Sequence, residues 1–136
     1  MALTLDRLVL DSSAYSRFRA GDEFAFGAIA EAPEVIVPSV VLGELYAGFR
    51  LGRRRAENEA VLAQFLEEPF VVTMDVTPSA ARRYGEVVAK LRKAGLTLAT
   101  NDLWIAASAL ERDATLLTFD RDFARVAGLR LLPRHP

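Results

Sequence analysis

The sequence predicts a three-layer α/β/α fold built on a central parallel sheet of four to five strands. Short apolar runs, each closed by a polar or turn-forming residue, recur at Leu8–Leu10, Glu34–Val37, Phe70–Met74 and Thr115–Thr118. Between them lie longer stretches with apolar residues at helical spacing. Strands that alternate with helices form a parallel sheet covered on both faces, with right-handed crossovers. No repeat, low-complexity tract or linker interrupts the 136 residues, so residues 1–136 are expected to form one domain.

The first run stops abruptly at Asp11-Ser12-Ser13, which places a carboxylate at the end of a buried strand. A helix is expected from about Ser13 to Arg19. A second, begun by Asp22, runs to Glu31 with Phe24, Phe26 and Ile29 partly buried, and Gly21 separates the two. After Glu34–Val37, Ser39 reads as the N-cap of a helix over 40–51 with Val41, Leu45, Gly48 and Phe49 as its apolar stripe. The next helix, over 53–67, turns Val61, Leu62, Phe65 and Leu66 inward and is stopped by Pro69. Following Phe70–Met74, Thr77-Pro78 is an N-cap with proline at the first helical position. That helix ends at Gly95, with Tyr84, Val87, Val88 and Leu91 inward and Arg82, Arg83, Lys90, Arg92 and Lys93 outward. Asn101 is expected to cap a further helix through Leu110. Thr115–Thr118 is the fourth strand, 120–126 a short helix and 129–132 a last edge strand.

Composition bounds the chemistry. Hydrophobic content of 51% with 26% charged residues suits a compact fold. The absence of cysteine excludes disulfides, thiolate metal sites and cysteine nucleophiles. Asp6 and Arg7 precede the first apolar run, so no signal peptide is recognisable. No apolar stretch reaches the length of a membrane span, and a cytoplasmic setting is expected. The formal charge of −1 gives no net basic surface for nucleic acid, yet acids gathered on cations would leave the remainder positive.

Four acids need an explanation. Asp11, Asp102 and Asp120 each have an adequate structural role as a cap or a first-turn acid favoured by the helix dipole. Glu44 does not: its neighbours one turn away are Val40, Val41, Ala47 and Gly48, none of them basic. Asp11 and Asp120 follow predicted parallel strands, and Glu44 and Asp102 lie near the starts of helices that can begin at the same sheet edge. Four carboxylates brought together there would repel one another unless divalent cations neutralised them, and all-oxygen ligation suits magnesium or manganese.

The set Val9-Leu10-Asp11-Ser12-Ser13, Gly43-Glu44-Leu45, Thr100-Asn101-Asp102-Leu103-Trp104-Ile105-Ala106-Ala107 and Leu117-Thr118-Phe119-Asp120-Arg121-Asp122-Phe123 resembles the PIN-domain ribonucleases. More narrowly, it is similar to the VapC toxins of bacterial type II toxin–antitoxin pairs. The resemblance spans the chain in order and implies a PIN-like fold. It also implies an Mg2+- or Mn2+-dependent endoribonuclease that hydrolyses RNA through metal-activated water and is held inactive by a cognate VapB-type antitoxin. A homodimer and a toxin–antitoxin hetero-oligomer are the implied assemblies. Asp11, Glu44, Asp102 and Asp120 match the acidic quartet, with Asp11 and Asp102 the leading metal ligands. Ser13 and Thr118 match supporting hydroxyls. Asp122 is an alternative or assistant to Asp120, which is preferred because it is nearer the strand end.

Arg50, Arg53, Arg54 and Arg55 are candidate RNA contacts, against a plain reading in which they pair with Glu57 and Glu59. Trp104 and the phenylalanines read as core. The only histidine, His135, sits one residue from the C-terminus and reads as part of a frayed tail. A receiver-type signalling domain would need paired acids after the first strand and a late lysine, whereas Lys90 and Lys93 both fall on a helix. A PIN fold that binds without cutting is the nearer alternative. No G-x-G-x-x-G follows the first strand, which disfavours dinucleotide binding.

Overall fold

The computed structural model describes residues 7–134. The readings around Asp6 and His135 therefore fall outside the described residues. Five strands, β1 (Leu8–Leu10), β2 (Val35–Pro38), β3 (Val71–Met74), β4 (Thr115–Leu117) and β5 (Leu131–Leu132), form one sheet in the order β3-β2-β1-β4-β5. Every neighbouring pair is parallel. The helices are α1 (Ser12–Arg19), α2 (Glu23–Glu31), α3 (Ser39–Leu51), α4 (Arg55–Leu66), α5 (Pro78–Lys93) and α6 (Thr100–Glu111), and a 3-10 helix spans Arg121–Arg125.

This order determines where a site can form. From β1 the chain steps outward through β2 to β3, then returns across the sheet to add β4 and β5 on the other side. Right-handed crossovers put the α1–α4 layer on one face and the α5–α6 layer on the other. The reversal falls between β1 and β4, which pair in register from Leu8 with Thr115 to Leu10 with Leu117. A parallel sheet opens its ligand crevice at such a point, beyond the strand carboxyl ends.

The central strands are apolar without alternation because both faces are covered. Leu8, Val9, Leu10, Val35, Ile36, Leu116 and Leu117 are fully buried. Tyr15, Leu62, Phe65, Leu91, Ile105 and Phe123 fill the layers around them.

Several local expectations are corrected. The third helix starts at Ser39 itself, so Ser39 is not its cap; Pro38 precedes it without a side-chain bond. The Ser39 hydroxyl instead donates to Asp75 Oδ1 at 2.9 Å, joining the ends of β2 and β3. Similarly, α6 begins at Thr100 with no side-chain cap, and Asn101 serves elsewhere. Phe24 and Phe26 are exposed at 46% and 60%. The inner face of α2 is made by Ala25, Ala28 and Ile29, a set with i, i+3, i+4 spacing that leaves both phenylalanines about 100° off it. Phe26 stacks on Phe18 at 6.1 Å. Gly48 is exposed and adds nothing to the stripe of Val41 and Leu45. The edge strand is reduced to Leu131–Leu132.

Candidate active site

The strand end at Leu10 delivers Asp11 into the reversal point, 5% exposed. Its carboxylate caps α1 by accepting the Ala14 N–H at 2.8 Å on Oδ1. The Ser13 hydroxyl donates to the same oxygen at 2.7 Å, and the Thr118 hydroxyl donates to Oδ2 at 2.5 Å. Both hydroxyls are fixed in turn from the β4 side: Ser13 Oγ accepts the Phe119 N–H and Thr118 Oγ1 the Asp120 N–H, each at 3.0 Å. The loops after β1 and β4 are thereby stitched together through Asp11. A carboxylate has about four acceptor positions, so three donors leave one open on Oδ2.

Glu44, one turn into α3, is half-buried. Ser12 Oγ donates to its Oε1 at 2.6 Å, and Asn101 Nδ2 to its Oε2 at 3.4 Å. Its partners come from the starts of α1 and α6, separated from it by 32 and 57 residues. Asp120 accepts the Asp122 N–H at 2.9 Å, and Asp122 pairs through Oδ1 with Arg125 at 3.1 Å.

Asp102 is treated differently. Among the described residues no donor reaches its side chain. Burial, followed by the charges of Asp120, Glu44, Asp11 and Asp122, pushes its carboxyl up to about 6. The helix dipole at the start of α6 favours an anion by only about 0.3 to 1 kcal/mol and is outweighed. Burial also raises Asp11, but Thr118, Ser13 and the Ala14 N–H pull it back before Asp120 raises it further. The five acids thus share one electrostatic neighbourhood, with Asp102 at its centre.

The PIN domain profile matches residues 8–129. The chain belongs to the PIN-domain family. Within it the VapC proteins are its relatives: it is 31% identical to ribonuclease VapC2 of Rickettsia felis over 104 residues, 76% of each chain. It is 33% identical to ribonuclease VapC2 of Haemophilus influenzae over 100 residues, 73% of this chain and 74% of that one. Among solved structures, VapBC2 from Rickettsia felis bound to a DNA fragment from their promoter superposes with a TM-score of 0.80 and 25% identity. The match covers 92% of this chain and 96% of that one.

In this PIN domain Asp11, Glu44 and Asp120 of the predicted quartet lie within electrostatic reach of Asp102, with Asp122 the weakest contributor to it. Among the described residues no three carboxylates converge closely enough to enclose an ion as the side chains stand. Asp11, Glu44 and Asp120 each accept hydrogen bonds from donors of their own. The sequence alone does not single out Ser12 and suggests a capping role for Asn101, whereas the structure turns both side chains onto Glu44.

The arginine cluster divides. Arg54 and Arg55 pair with Glu57 and Glu59 on their own helix, at 4.0 and 3.1 Å. Arg50 and Arg53 are exposed without a carboxylate partner among the described residues. Arg82, Arg83, Lys90, Arg92 and Lys93 are all exposed on α5. Trp104 is half-buried and stacks on Tyr84 at 4.0 Å. No helix among the described residues is long and apolar enough to cross a membrane.

Proposed function

We propose that this PIN domain is an Mg2+- or Mn2+-dependent endoribonuclease toxin of the VapC type, neutralised by a VapB-type antitoxin. The observation that carries the reading is the company of Asp102: a half-buried carboxyl raised to about 6 by burial and by four nearby acids marks a concentration of negative charge that a divalent cation would neutralise. The all-oxygen donor set suits a hard divalent ion, and Asp11, Glu44, Asp102 and Asp120 would hold it. Bound there, the ion supplies Lewis acidity toward a phosphate and lowers the pKa of water.

The remaining roles belong to the chain. Asp11, held from both sides by Ser13 and Thr118, keeps its orientation before any substrate arrives. Ser12 and Asn101 hold Glu44 between α1 and α6. Asp120 ranks ahead of Asp122 as the fourth acid because Arg125 engages Asp122. Direct attack of water on phosphorus leaves a 5′-phosphate and a 3′-hydroxyl. Arg50 and Arg53 remain candidate outer contacts for RNA, with Arg54 and Arg55 reduced by their ion pairs.

The VapC names of the relatives support the ribonuclease reading, and the VapBC complex among the solved structures supports an antitoxin partner. A homodimer, a toxin–antitoxin hetero-oligomer and a cytoplasmic setting follow from the same reading. One sheet and a family match over residues 8–129 support a single domain over 1–136.

The test is cleavage of mixed RNA by the purified protein with and without Mg2+ or Mn2+, repeated with Asp11→Asn and Asp102→Asn. Cleavage should require the metal and fall by about 10^3-fold or more in both variants. Metal-independent cleavage, full activity in both variants or 2′,3′-cyclic phosphate ends would contradict the proposal.

A further inference from the structure

We infer that Arg17 is a substrate-binding residue that grips a phosphodiester of the RNA strand beside the one that is cut. The inference rests on the ribonuclease reading above. Arg17 lies four residues after Ser13 on α1, on the same helical face. Helical side chains lean toward the N-terminus of their helix, which directs Arg17 toward the acid edge. Its guanidinium carbon sits 4.8 Å from the centroid of the Phe119 ring. Phe119 is held in turn, because its N–H donates to Ser13 Oγ at 3.0 Å, and it directly precedes Asp120.

The placement solves an electrostatic difficulty. An edge carrying Asp11, Glu44, Asp102, Asp120 and Asp122 stays net negative even with a divalent cation bound, and arginines already paired with carboxylates do little to offset the repulsion of an incoming polyanion. Arg17 is exposed, and among the described residues no carboxylate lies within ion-pair distance of it. The attraction of a guanidinium to the face of a ring holds the group without consuming its charge. Its N–H edge stays free for the two-point contact with phosphate oxygens that suits arginine better than lysine. Arg54 and Arg55, by contrast, are engaged by Glu57 and Glu59.

The test compares wild type with Arg17→Gln, Arg17→Lys and a control, Arg82→Gln, at an exposed position on α5. Cleavage of a single-stranded RNA is followed at several salt concentrations in saturating Mg2+. Binding of the same RNA to each form carrying Asp11→Asn is measured separately. Arg17→Gln should raise KM and Kd about tenfold, more than it lowers kcat. It should also flatten the slope of log Kd against log salt by about 0.7, the value for one phosphate contact on a single strand. Arg17→Lys should restore the slope and only part of the affinity, and Arg82→Gln should match wild type. Unchanged Kd and salt slope in Arg17→Gln, or an effect confined to antitoxin affinity, would overturn the inference while leaving the nuclease reading intact. A wild type that neither cuts nor binds RNA would overturn both.

Discussion

Asp11 and Asp102 belong to one acidic neighbourhood, yet their surroundings are built in opposite ways. At the paired ends of β1 and β4, Asp11 receives three hydrogen bonds, from Ser13, Thr118 and the Ala14 N–H. At the start of α6, Asp102 receives none among the described residues, and every charge that influences it is another carboxylate. Burial raises both groups; donors counter the effect at Asp11 and acids compound it at Asp102. The first region is organised in advance by donors, and the second gathers negative charge around a carboxyl that has no donor among the described residues.

The contrast can be broken most severely at Asp11. Replacement by alanine should abolish RNA cleavage, by about 10^3-fold or more in kcat/KM, and also destabilise the fold by about 1 kcal/mol. The latter reflects the loss of the α1 cap, and urea unfolding without metal measures it. A stability gain there would mean that the donors around Asp11 do not compensate its burial.

Asp102 should answer in the opposite direction. Its folded pKa of about 6 lies above the ordinary 3.8, so between these values the native state holds a proton that the unfolded state has lost. Its contribution to stability is therefore present at low pH and is lost as pH rises through about 6. Thermal unfolding of the metal-free protein should show this decline, and Asp102→Asn should lessen it and be the more stable form at pH 7. Added Mn2+ should raise the melting temperature of wild type at pH 7 and do so far less in Asp102→Asn. Equal metal stabilisation of both would remove Asp102 from the cation site.

Smaller effects sharpen the same comparison. Ser13→Ala and Thr118→Val each remove one donor to Asp11 and should lower kcat/KM by about 10- to 100-fold, the range for groups that orient a metal ligand. Asp122→Asn should change it less than about threefold, because Arg125 already occupies that carboxylate. A loss at Asp122 as large as at Asp120 would exchange their roles.

Local spacing makes the strands, the helices and the capping acids Asp11, Asp22 and Asp120 readable, since each depends on neighbours within a turn or a strand. Glu44 stood out for lacking a partner on its own helix, and that was the useful signal. Its actual donors, Ser12 and Asn101, lie far away in the chain. Cap chemistry is local, so the sequence suggests caps at Ser39 and Asn101, whereas their side chains reach across to Asp75 and Glu44. Hydrophobicity alone predicts Phe24 and Phe26 to be partly buried, but the Ala25, Ala28 and Ile29 face of α2 meets the core and leaves both exposed.

By itself, the sequence determined the alternation of apolar strands and helices, the positions of the acids at element ends and the absence of thiol chemistry. These are one-dimensional properties, because periodicity and chain order need no distances. Only the tertiary structure decided that the acids meet where the strand order reverses and that hydroxyls from two loops hold Asp11. It alone left Asp102 without a donor among the described residues and Arg17 over Phe119. Such facts depend on separations between groups remote in the chain, and Coulomb interactions and hydrogen bonds are decided by those separations.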